Sequence, residues 1–108
     1  MANALRNEIK TFVEWQLKCY QENKRVLKES KTFSNPRYRT QLRHSVEAID
    51  TVLSSASEEE LALISMVYWK RTHTITGAGM ELNLGRSTAY RYQERIIKAI
   101  AKELGYAM

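Results

Sequence analysis

Between Arg86 and Lys98 the chain gathers Arg86, Ser87, Thr88, Tyr90, Arg91, Arg95 and Lys98. Guanidinium, ammonium and hydroxyl groups at this density donate hydrogen bonds to an acceptor-rich, anionic partner. On a helix these residues other than Thr88, with Gln93 and Glu94, fall on the outward face. An arginine can grip guanine O6 and N7 with two bonds, a contact worth about 1–3 kcal/mol of discrimination. Arg86, Ser87 and Arg91 are expected to face base edges. Thr88, Arg95 and Lys98 are better placed for phosphates, which set register but read little sequence. Glu94 is expected on the side away from the duplex, paired with Lys98 one turn on.

Nothing else in the chain competes as a chemical centre. No paired carboxylates, nucleophile–base set, glycine-rich phosphate loop or metal cluster stands out, so no catalytic residue, metal or cofactor is expected. His44 and His73 stand alone. Cys19 is the only cysteine, which rules out an internal disulfide and suits a reducing compartment. The run Glu58-Glu59-Glu60 has a structural explanation: Ser57 followed three residues later by Glu60 fits a capping box.

A cationic helix acquires meaning from what holds it. Residues 74–92 carry the spacing of a helix-turn-helix. Ala78 and Gly79 are small residues inside a first helix, where a second must cross closely. Leu82 anchors that helix before the turn and Leu84 within it. Gly85 is tolerated as the residue opening the second helix. Ala89 is the small buried residue four positions on, and Tyr92, Ile96, Ile97 and Ile100 continue the packing stripe. In such a motif the first turns of the second helix enter the major groove. Gly77 and Gly79 each cost about 1 kcal/mol of helix propensity relative to alanine, so the first helix is expected to be short or irregular.

The remaining elements are helical by periodicity. Leu5, Ile9, Phe12, Val13, Leu17, Tyr20, Val26 and Leu27 recur at steps of mostly three and four, predicting a long helix from Asn3 to about Ser30. Thr32-Phe33-Ser34-Asn35-Pro36 reads as a turn, with the proline suited to the first turn of the next helix. That helix runs to about Leu53 on the stripe Tyr38, Leu42, Val46, Ile49 and Val52. A third helix follows the capping box and ends near Lys70-Arg71, with Tyr68 and Trp69 in the core. Thr74 can cap a helix from Ile75 to Leu82. Asn83-Leu84-Gly85 forms a tight turn, and a last helix spans Arg86 to about Leu104, stopped by Gly105. The fold class is therefore all-α: long N-terminal helices over residues 1–56, then a helix-turn-helix region over residues 57–108.

Composition fits this reading. The chain has 108 residues, one proline, four glycines and a formal net charge of +5. Cations cluster from Lys24 to Arg43 and again from Lys70 onward, while the charges from Glu47 to Glu60 are all acidic. The first cluster is read as a solvated face in preference to a phosphate or polymerase contact. No apolar run approaches the roughly 20 residues that cross a bilayer, and the N-terminus lacks the apolar core of a signal peptide. A cytoplasmic protein is expected. The stripe from Leu5 to Leu27 offers more apolar surface than one short partner covers, which makes a homodimer a candidate assembly, with Trp15 beside its interface.

Tyr68-Trp69-Lys70-Arg71, the string from Met80 to Tyr92, and Ile96-Ile97 resemble the C-terminal region of the RinA/ArpU-type phage transcriptional regulators. That region is similar to the sigma-70 region 4 module. The resemblance covers roughly the last half of the chain and rests mainly on the aromatic-Trp-Lys ending and on Arg86-Ser87-Thr88-Ala89-Tyr90-Arg91. It implies a sequence-specific activator of phage or prophage genes in a bacterial host, with host RNA polymerase as a candidate partner. It also puts Arg86, Ser87 and Arg91 at groove-reading positions. Gly85 stands where the pattern usually has a serine cap. Two other readings share these features. A small terminase-like packaging protein would assemble into rings of eight or more subunits, and a sigma-like factor would bind DNA only together with RNA polymerase.

Overall fold

The computed structural model describes residues 6–29 and 36–106, in five helices with no strand among the described residues. Helix α1 spans Asn7–Glu29 and α2 spans Pro36–Ser54. Helix α3, Glu58–Ile64, runs into a wide π-helical turn at Ser65–Trp69. Helix α4 is Ile75–Glu81 and α5 is Arg86–Glu103. The expected start of the first helix at Asn3, its end at Ser30 and the turn at Thr32–Asn35 lie outside the described residues. Pro36 is the first residue of α2, where its missing N–H costs nothing.

The main core is a seam shared by four segments. Val13, Leu17 and Tyr20 of α1 meet Val46, Ile49 and Val52 of α2, Ile64 and Tyr68 of the third segment, and Ile96, Ile97 and Ile100 of α5. Spacings of three and four, with Ile97 beside Ile96, put each set on one helical face. Tyr20 stacks on Trp69 with ring centroids 5.7 Å apart, and Trp69 Nε1 donates to the Leu17 carbonyl at 3.0 Å. A smaller cluster of Leu63, Ile75, Ala78 and Ala89 lies beneath α4. Helix α5 thus serves both, with Ala89 in the smaller cluster and its isoleucines in the larger.

Two expectations change here. The stripe assigned to α2 begins at Leu42: Tyr38, one turn earlier, is 53% exposed and borders an open groove with Phe12 and Tyr106. Phe12 and Tyr106 meet edge to face at 6.2 Å, so α1 also touches the segment that follows α5 at this end. The third helix is not one α-helix to Lys70. Its last turn is widened, and Lys70 N–H bonds back to Ser65 at 2.8 Å. Met66, Val67, Tyr68 and Trp69 are four consecutive apolar residues that must serve two clusters at once. The wide turn lets Tyr68 enter the main core while Met66 packs on the smaller one.

Other readings of the sequence hold. Ser57 and Glu60 form a reciprocal capping box, Thr74 caps α4, and Gly105 ends the last helix at a φ of 98°. Trp15 is 59% exposed on the outer side of α1. No described helix is long and apolar enough to cross a membrane.

Candidate nucleic-acid interface

Helix α4 starts where Thr74 Oγ1 accepts the Gly77 N–H at 3.0 Å. It buries Ile75, Ala78 and Gly79. Gly79 is the point of closest approach to α5: a Cβ built there would stand 2.8 Å from the Cβ of Ala89. Real Cβ atoms do not come so near, and neither carbon sits on a flexible arm. The absent side chain is what allows α4 and α5 to touch.

The turn that follows uses asparagine where glycine is commoner. Asn83 takes a φ of 60°, a left-handed conformation that Asn tolerates better than most residues. Its N–H bonds to Met80 O at 3.1 Å, and the Leu84 N–H to Gly79 O at 2.7 Å. Gly85, the cap of α5, has a φ of −65° and no side chain to bond the first free N–H groups. A Cβ at Gly85 would meet open space, so no steric demand requires glycine there.

From this start α5 turns Arg86, Ser87, Tyr90, Arg91 and Glu94 outward, all exposed. The Arg86 guanidinium lies 5.8 Å from the centre of the Tyr90 ring, which restrains both side chains. A hydrogen bond with Thr76 of α4 holds the Tyr90 hydroxyl below its ordinary pKa, helped by the charges of Arg86 and Lys10. Arg86 and Arg91 make no ion pair with any described residue. Thr88 is half-buried.

The other site residues are placed differently. Arg95 does not project freely from the helix. Its guanidinium grips both carboxylate oxygens of Glu60 through Nε and Nη2, and that carboxylate is only 6% exposed. The Arg95 bond, with the Ser57 N–H, holds the Glu60 carboxyl below its ordinary pKa. Lys98 is 29% exposed and pairs with Glu94 at 2.9 Å, the i,i+4 contact read from the sequence. This pairing pulls the Glu94 carboxyl down.

Gln93 corrects the outward face expected of α5. It is buried, and its Nε2 donates to the Tyr68 hydroxyl at 2.7 Å. Tyr68 in turn donates to Glu14 of α1 at 2.7 Å. Burial pushes the Tyr68 hydroxyl well above its usual pKa, so it keeps its proton as a donor. The chain of bonds Gln93–Tyr68–Glu14 fixes the rotation of α5 against α1 and the wide turn. The sequence did hold a signal: position 93 lies four after Ala89 and three before Ile96, on the packing stripe. Thr76 and Lys10 were not anticipated beside α5. They come from other helices, and no local spacing points to them.

Two members of the earlier cationic cluster have acidic partners. Lys24 bonds to Asp50 at 3.3 Å and to the Tyr20 hydroxyl, and Arg25 sits between Glu22 and Glu29. Among the described residues no group of three or more His, Cys, Asp and Glu side chains could hold a metal ion. No family model, curated protein or solved structure matches the chain.

Proposed function

We propose that this chain is a sequence-specific DNA-binding transcription regulator that reads duplex DNA with the first turns of α5. One arrangement carries the reading. The Gly79–Ala89 approach sets α4 tightly across α5, and the helix so held presents Arg86, Ser87 and Arg91 to solvent with no carboxylate of the described residues neutralising them. A helix held in this way suits the major groove, about 12 Å wide, where two arginines and a serine reach base edges. Stacking on Tyr90 narrows the conformations open to Arg86, which lowers the entropy lost when it engages a base. Lys98 and Thr88 sit along the flanks, where phosphates set register.

The finer assignments rest on the sequence resemblance. It supports a sigma-70 region 4-like arrangement, action on phage or prophage genes within a bacterial host, and contact with host RNA polymerase. Selection of bound sequences from random duplex DNA tests the central reading. A recovered motif is expected, and two-fold symmetry in it would report a homodimer. Recovery only with RNA polymerase present would instead favour a sigma-like factor. No enrichment in either case, and no binding at low ionic strength, would end the proposal.

Arg91→Ala gives the sharpest check on the site. It should relax preference at one or two base pairs by about 1–3 kcal/mol. Other positions of the recovered motif should keep their preference. Equal weakening on every sequence would move Arg91 from the bases to the phosphates.

A further inference from the structure

We propose that the DNA-contacting surface continues from α5 onto the first turns of α1, where Lys10 holds a backbone phosphate of the same duplex. The inference rests on the reading of α5 given above and extends it to a second element. The Glu14–Tyr68–Gln93 bonds set one flank of α1 beside the middle of α5. Lys10 lies one turn before Glu14 on that flank. Consistent with this placement, the Lys10 charge acts on both the Tyr90 hydroxyl and the Glu94 carboxyl.

Lys10 is exposed and makes no ion pair with another described residue, whereas Arg6 is paired with Glu8 at 3.3 Å. Glu94, the nearest acid on α5, is already engaged by Lys98 at 2.9 Å. The scale of the duplex fits. Packed helices lie about 8–10 Å apart, and the major groove is about 12 Å wide. With α5 in the groove, its packed neighbour falls over the groove edge, where the phosphates run. A flexible ammonium suits a phosphate contact, which needs charge more than fixed geometry.

The test is a titration of labelled duplex DNA at several salt concentrations with the wild-type chain, Lys10→Ala, Lys10→Arg and Lys18→Ala. Lys18 is an exposed lysine farther along α1 and controls for net charge. Lys10→Ala should make the dependence of log K on log salt shallower by about one, leaving sequence preference unchanged. Lys10→Arg should restore the slope, and Lys18→Ala should match the wild type. A wild-type chain that does not bind DNA at low salt overturns the reading of α5, and this inference falls with it. A chain that binds, but whose slope is the same with alanine at position 10, overturns the α1 contact alone. An equal loss for Lys18→Ala overturns it too, since net charge would then explain the effect.

Discussion

Valine at position 79 is expected to abolish sequence-dependent DNA binding and to lower stability by about 2–3 kcal/mol, the upper part of the range for overpacking. The cause is distance. Even an alanine Cβ would stand 2.8 Å from the Ala89 Cβ, and both carbons are fixed to helical backbone. Relief requires α4 and α5 to separate, which shifts Arg86 and Arg91 relative to the groove. Gly79→Ala adds up to about 1 kcal/mol of helix propensity but meets the same contact, so it too should destabilise. Gly77→Ala is the internal control. Its nearest neighbour is Thr74 Oγ1 at 3.3 Å, and stability should stay within about 1 kcal/mol of wild type. Denaturant midpoints and DNA titrations check both positions. Wild-type stability and DNA preference in Gly79→Val would show that α4 and α5 do not touch there.

The second large effect concerns Glu60. Replacement by alanine removes half of a capping box and the partner of Arg95 in one step. A lost cap costs about 1 kcal/mol and a charge-assisted bond about as much again when its donor is half exposed. The expected loss is about 2 kcal/mol, or roughly 10 °C in Tm for a chain of this size. The pH dependence follows from the depressed carboxyl. A group whose pKa is lower folded than unfolded contributes fully above its unfolded value and loses that contribution as pH falls through the folded one. Wild-type stability should therefore decline in the acid range, and Glu60→Gln should show a flatter curve there. Thermal unfolding across a pH series reads both. Arg95→Ala should share the stability loss while leaving the salt slope of DNA binding nearly unchanged. A slope shallower by about one would return Arg95 to the phosphate contacts that its sequence position suggested.

These two sites show what was legible in the amino-acid order. Small residues at 78, 79 and 89 announce a close crossing because only steric constraint gives them purpose together. Ser57 and Glu60 announce a helix start because the capping box is a local four-residue device. Arg95 is harder to place from the sequence, for the opposite reason. Its partner is thirty-five positions away, and no periodicity within α5 separates an arginine facing water from one turned toward α3. Gln93 was placed outward on polarity, although its spacing from Ala89 and Ile96 put it on the buried stripe. Spacing outranks polarity when a buried hydroxyl stands opposite, and Tyr68 supplies that hydroxyl. The wide turn at Ser65–Trp69 had only an indirect signal: four apolar residues in succession, more than one face of an α-helix can bury.

The seam through Ile96, Ile97 and Ile100 has a further consequence. The exposed cationic end of α5 and its anchored end belong to one rigid rod, and the anchor is clamped by α1 and α2. A fragment cut out after residue 56 would bare those isoleucines to water and forfeit the Glu14 bond. The cationic end is therefore not a portable cassette. Its aim is set by helices from the opposite half of the chain, and whatever tilts them redirects it.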